Sequence, residues 1–177
     1  MTDRPDEDGE SPTARAVRVW DTMAPRYDDQ IAFFERIQFG GGREWVCSRA
    51  AGEVLEVAIG TGRNLPFYPP DVTLTGVELS PAMLAIAAQR AAELGHEVDL
   101  REGDAEALPF EDASFDTVVC TLSLCTIPDH ARAIEEMARV LRRAARCCCS
   151  TTSAATGGRC RPCSSSSRCS APAMAST

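Results

Sequence analysis

Gly60-Thr61-Gly62 is the first place in this chain where residue types and spacing suggest chemistry. It follows the apolar run Val54-Leu55-Glu56-Val57-Ala58-Ile59. Glycines there let the backbone approach a ligand closely, and a helix N-terminus beyond them favours a negatively charged group. Glu78 closes the next apolar run, where a carboxylate can accept hydrogen bonds from both hydroxyls of a ribose. Gly103-Asp104-Ala105 is a short acceptor-rich segment suited to reading an adenine edge. Taken singly these residues also read as a plain turn, a surface acid and a turn aspartate. On successive loops of one sheet edge they point to a nucleoside-bearing ligand.

The elements that would position them follow from periodicity. Helix-like spacing covers Ala14 to Trp20 and Tyr27 to Arg36, and a further helix is expected from Arg43 to Ala51. Short apolar strands are expected from Val54 to Ile59, Leu74 to Leu79, Val98 to Arg101 and Phe115 to Leu122. Ser80-Pro81 is an N-cap with proline at the first helical position, and Gly95 should stop that helix. Its apolar face would be Met83, Leu84, Ala87, Ala91 and Leu94. A last helix from Pro128-Asp129 would face inward with Ile134, Met137 and Leu141. Strands alternating with helices imply an α/β fold, a Rossmann-like parallel sheet flanked by helices. Ligands in such sheets bind at the carboxyl ends of the strands, near the switch in strand order. The loops after Ile59, Leu79, Arg101 and Thr121 meet there.

Three segments, Val54 to Asn64, Gly76 to Leu84 and Gly103 to Val119, resemble the class I S-adenosylmethionine-dependent methyltransferases. More narrowly they are similar to the methyltransferase type 11 domain of the ubiquinone and menaquinone biosynthesis methyltransferases. Trp20-Asp21 through Tyr27-Asp28 resembles the N-terminal element that caps the cofactor in that group. The resemblance implies S-adenosyl-L-methionine as cofactor and a small-molecule acceptor, such as a quinone precursor, a lipid or another metabolite. It places Gly60, Thr61 and Gly62 under the methionine portion, with Glu56 supporting the loop. Glu78 would bind the ribose and Leu79 would pack on adenine, whose amino edge Asp104 and the Ala105 amide would hold. Thr121 would sit near the methionine amino group, and Tyr27, Phe33 and Phe34 would form a lid. Ala58 stands where the family commonly has glycine, which alanine can replace if φ stays negative. In-line transfer from a sulfonium needs mainly positioning, and no general base is assigned. The two histidines, His96 and His130, lie near helix boundaries.

Composition limits the alternatives. All 18 basic residues are arginine, and all 26 acidic residues precede Ala144. A net charge of −8 disfavours nucleic acid as a partner. No apolar run has the length of a membrane span and no signal-peptide pattern opens the chain, so a cytoplasmic location is expected. No metal-ligand set is expected. A nicotinamide-dependent oxidoreductase would want a small residue at position 65, where leucine stands. A non-catalytic remnant is the other alternative.

That remnant reading comes from the last segment. The expected layout is a disordered acidic arm at 1–13, a helical cap at 14–52, the cofactor-binding α/β domain at 53–143, and a disordered tail at 144–177. The tail holds six of the nine cysteines and no Leu, Ile, Val, Phe, Tyr or Trp. Cys160-Arg-Pro-Cys163 has no partner pair at metal-site spacing. Cys47, Cys120 and Cys125 read as buried thiols. In GC-rich codons, a one-base shift turns Arg143 to Ser153 into Pro-Gly-Gly-Pro-Leu-Leu-Leu-Leu-Asp-His-Val. This is the proline-glycine turn and apolar strand that the resembled family has here. The expectation is an out-of-frame tail, a sheet truncated after its fourth strand and helix, and an inactive product.

Overall fold

A computed structural model describes residues 10–38 and 41–150, with side chains at 10–32 and 41–142. The arm at 1–9, the tail at 151–177 and the side chains of Phe33 and Phe34 therefore lie outside the described residues.

A parallel sheet of five strands runs β1 (Glu53–Val57), β2 (Thr73–Glu78), β3 (Val98–Glu102), β4 (Phe115–Thr121) and β5 (Leu141–Ser150) in sequence, ordered β3-β2-β1-β4-β5 in space. The order reverses between β1 and β4, which pair directly, Leu55 opposite Val118. Among the described residues four α-helices flank it: α1 (Pro12–Gln38), α2 (Gly42–Cys47), α3 (Pro81–Leu94) and α4 (His130–Val140). Successive side chains on a strand point to opposite faces, so Val118 and Val119 enter different cores. Val118 joins Leu55, Val57 and the inner face of α4, while Val119 joins Val54, Leu74, Val46 of α2 and Ala91 of α3.

The expected α/β sheet is present, and several details differ. The two N-terminal helical stretches are one helix of 27 residues with Pro25 inside it. An interior proline costs a hydrogen bond and crowds the carbonyl four residues back, yet the helix continues through it. The Ser80 cap is as expected, its hydroxyl accepting from the Met83 amide, and Gly95 ends α3 with φ 68°. On α4 the inward residues are Ala133, Met137 and Val140, and Ile134 is 46% exposed. Glu136 takes an inward position because Arg139 and the Leu108 amide satisfy its carboxylate, so apolarity alone mis-set the face. Leu94 is likewise exposed on α3. Cys47 and Cys120 are buried, whereas Cys125 is exposed in the 3-10 turn Leu124–Thr126.

The expectation that the sheet stops after its fourth strand is also corrected. Residues 141–150 form β5 along β4, with Cys147 opposite Val118 and Cys149 opposite Cys120. An edge strand offers a row of backbone donors and acceptors, and pairing with them does not depend on side-chain type. A stretch free of proline and glycine can therefore take the place. The acidic arm is shorter than expected too, since Pro12 and Thr13 are helical and the Glu10 carboxylate pairs with Arg18 at 2.7 Å.

Candidate functional site

The carboxyl ends of β1, β2 and β4 and the loop after β3 enclose a cleft. Of the residues expected to bind the cofactor, Tyr27, Ala58, Gly60, Thr61, Glu78, Leu79, Asp104, Ala105 and Thr121 line it. Glu56 and Gly62 do not, and both lie just beneath.

Backbone shape explains the first loop. Gly60 has φ 59°, and a Cβ built there would meet nothing within 4 Å, so the chain is bare where it faces the cleft. Gly62 has φ 76° for another reason: a Cβ there would come 2.9 Å from Leu65 Cδ1 and 3.3 Å from Ala87. Gly60 leaves room for a ligand, and Gly62 lets the loop pack on α3. Ala58 departs from expectation, since its φ is 55°. It occupies the left-handed region that the common glycine would take without strain. Leu122, at the end of β4, has φ 59°. Two strained non-glycine residues thus end neighbouring strands at the switch point, where strain concentrates at functional sites.

Glu78 is 6% exposed. Its Oε2 accepts from the Gly60 amide at 2.9 Å and its Oε1 from the Ser80 amide at 3.0 Å. Burial pushes the carboxyl above its usual range, with the backbone donors opposing and Asp21 adding to the rise. Each oxygen holds one backbone bond, which leaves acceptor capacity toward the cleft. Asp104 Oδ1 accepts from the Glu106 amide at 2.9 Å, which shapes the loop beside Ala105.

Beneath Gly60 lies a polar network that crosses three elements. The buried Glu56 accepts from Asn64 Nδ2 at 2.7 Å and from the Tyr68 hydroxyl at 2.8 Å. Asn64 Nδ2 also donates to Thr121 Oγ1 at 2.9 Å. Arg43 of α2 donates through Nη1 to Asn64 Oδ1 at 2.8 Å and to Thr121 Oγ1 at 3.0 Å. Burial raises the Glu56 carboxyl to about 7, against the Tyr68 and Asn64 hydrogen bonds and the Arg43 charge. Thr121 accepts two bonds, so its own proton remains a donor. Arg43 lines the cleft and was not singled out in the sequence. Its partners lie 21 and 78 residues away, and no local pattern marks such a contact.

Helix α1 covers the cleft with Trp20 and Tyr27, whose rings meet edge to face at 6.1 Å. Two carboxylates anchor it. Asp21 Oδ1 accepts from the Ser80 hydroxyl at 2.5 Å and the Ala82 amide at 3.2 Å. Asp28 accepts from the Thr61 hydroxyl at 2.6 Å and pairs with Arg90 and Arg63. Burial pushes the Asp28 carboxyl up, but the Thr61 hydroxyl and the two arginines outweigh it and hold it below the usual range. His130 is exposed, and neither histidine lines the cleft. Among the described residues, no helix is long and apolar enough to cross a membrane.

Residues 55–149 match the family model described as a methyltransferase domain. Phosphatidylethanolamine N-methyltransferase of Cereibacter sphaeroides is 45% identical over 94 residues, 52% of this chain and 46% of that protein. Demethylmenaquinone methyltransferase of Thermus thermophilus is 33% identical over 133 residues, 70% of this chain and 59% of that protein. The YcgJ protein of Bacillus subtilis superposes with a TM-score of 0.55 at 32% identity, over 63% of this chain and 49% of that one. The chain thus spans about half the length of the curated relatives it matches. A cleft at the switch point, Glu78 pinned to the Gly60 loop, and a family match over more than half of the residues agree, and this chain belongs to the methyltransferase domain family.

Proposed function

We propose that the cleft binds S-adenosyl-L-methionine and that the chain transfers its methyl group to a small-molecule acceptor. The observation that carries this is Glu78, a buried carboxylate held by the Gly60 and Ser80 amides with acceptor capacity left beside a bare glycine. That arrangement suits a ribose diol lying against the first loop. The Leu79 side chain and the Asp104-Ala105 segment, on the same side, suit adenine. Arg43 and the Thr121 hydroxyl form the donor-rich end of the cleft and suit the methionine carboxylate. When bound, the cofactor would supply a methyl group on a positively charged sulfur. The residues need only orient the two reactants and keep water out, which accounts for the covering Trp20 and Tyr27. The described lining holds no histidine, cysteine or lysine for proton removal. Its candidate proton acceptors are the carboxylates of Glu78, Asp104 and Glu106 and the Tyr27 hydroxyl, and none is assigned as a base.

Calorimetric titration tests this. S-adenosylhomocysteine should bind at one saturable site, and NAD should not bind. Glu78→Ala should weaken the former by about 100-fold, the loss of two hydrogen bonds to a charged group. Circular dichroism on the variant checks that the fold is kept. Unchanged affinity would overturn the ribose assignment.

A further inference from the structure

The donor site proposed above uses only part of the cleft. The remainder is walled by Ala16 and Trp20 of α1 and by Thr126, Ile127 and Pro128 beyond β4. Ala16, Trp20, Thr126 and Pro128 also line a second, shallow and open depression, which Pro12, Arg15 and Val19 carry to the surface. Four shared residues make the two depressions neighbours, and a channel through both would lead from the outer end of α1 to the covered end of the cleft.

Its walls are mostly hydrocarbon, with Thr13, Thr126 and Arg15 as the polar exceptions. Pro12, Ala16, Val19 and Trp20 fall on one face of α1, spaced as residues that line a helix stripe. Such a stripe is ordinarily buried, yet Val19 is 41% exposed. Opposite, the hydroxyls near the channel are spent on backbone. Thr126 Oγ1 donates to the Ser123 carbonyl at 2.7 Å, and Ser123 Oγ to the Thr121 carbonyl at 2.9 Å. Arg15 stands at the outer rim. From Trp20 to Pro12 the helix runs roughly 12 Å, the reach of a medium-length alkyl chain.

Resting on the methyl-transfer reading above, we infer that this channel holds the hydrocarbon chain of an amphiphilic acceptor, with its nucleophilic end beside the donor. A small polar acceptor would leave the apolar stripe wet. A folded partner lying on α1 would not use the continuation into the cleft. An extended chain covers the stripe and delivers one end to the reacting position.

Tryptophan quenching tests this without turnover. The chain has two tryptophans, Trp20 in the channel and Trp45, which is exposed. In the Trp45→Phe variant, terminally brominated dodecyl phosphocholine below its micelle concentration should quench Trp20 saturably. A brominated butyl analogue should bind at least about tenfold more weakly, because each buried methylene adds to the transfer free energy. Val19→Asp in the same background should weaken the long chain by about tenfold or more, with S-adenosylhomocysteine titration reporting whether the cleft stays formed. Equal quenching by both chain lengths, no saturation, or the same quenching in the Trp20→Phe variant would overturn the channel. S-adenosylhomocysteine binding without chain binding would overturn this inference alone. Chain binding without S-adenosylhomocysteine binding would overturn the methyl-transfer reading and, with it, the acceptor assignment.

Discussion

Ala58 holds a conformation that costs an L-residue with a side chain about 1–2 kcal/mol. Ala58→Gly should therefore raise stability, by up to about 1 kcal/mol after the greater freedom glycine gives the unfolded chain. Urea unfolding at fixed pH would show it, and a loss of stability would mean the position is not strained. Glu56 gives a signed pH dependence. Its folded carboxyl keeps a proton up to about pH 7, whereas the ordinary value is 4.5. Between those values the folded state binds more protons than the unfolded state, so stability falls as pH rises through that window. The total is on the order of 3 kcal/mol. Glu78 acts in the same direction, so the measurement is the difference in melting temperature across the window between the protein and Glu56→Gln. Parallel pH profiles would refute the assignment. At this scale the sequence was informative where chemistry is local. Glu78 and Thr121 could be named because each closes a strand, and Gly60 and Asp104 because each lies in the loop just after one. Arg43 could not, because only the fold brings α2 to the end of β4. The φ of Ala58 could not either, because residue type alone argues against the value it takes.

Elements were legible in proportion to their end signals. Ser80-Pro81 and Gly95 fixed α3 to the residue, since a capping hydroxyl, a proline and a left-handed glycine each act on the chain locally. The inward face of α4 was misjudged because its position depends on a polar cluster. Arg139 pairs with Glu136 at 2.7 Å and with Asp112 at 2.9 Å, and donates to the carbonyls of Phe110 and Leu108. One side chain thereby fastens the loop between β3 and β4 onto α4. Arg139→Ala leaves a nearly buried Glu136 carboxylate and two carbonyls without it, and should cost about 2–3 kcal/mol. An unfolding free energy in urea lowered by less than about 0.5 kcal/mol would show the cluster to be a solvated surface pair.

At the scale of the molecule, the sheet order β3-β2-β1-β4-β5 puts every proposed donor-binding loop on one edge. This much followed from the alternation of strand and helix patterns. The fifth strand did not, because Leu141 to Ser150 lacks an apolar strand pattern. Its place is informative all the same. Cys147, Cys148 and Cys149 pair along Val118, Val119 and Cys120, where the shifted reading frame would write consecutive leucines. A chain built with the shifted frame from residue 143 should unfold at higher denaturant and with a steeper transition, since it would bury apolar surface along β4. Equal midpoints would remove the reason to prefer that frame. The covering helix would bear on turnover under the proposed function. Asp21 grips Ser80, Ser80 donates to Glu78, and Glu78 holds Gly60, while Asp28 grips Thr61. The lid is thus tied to the same loops that would clasp the spent donor on the proposed reading, which would then not leave by loosening its own contacts alone. Helix α1 would have to let go first, and the residence time of the product would depend on two aspartates that do not line the cleft.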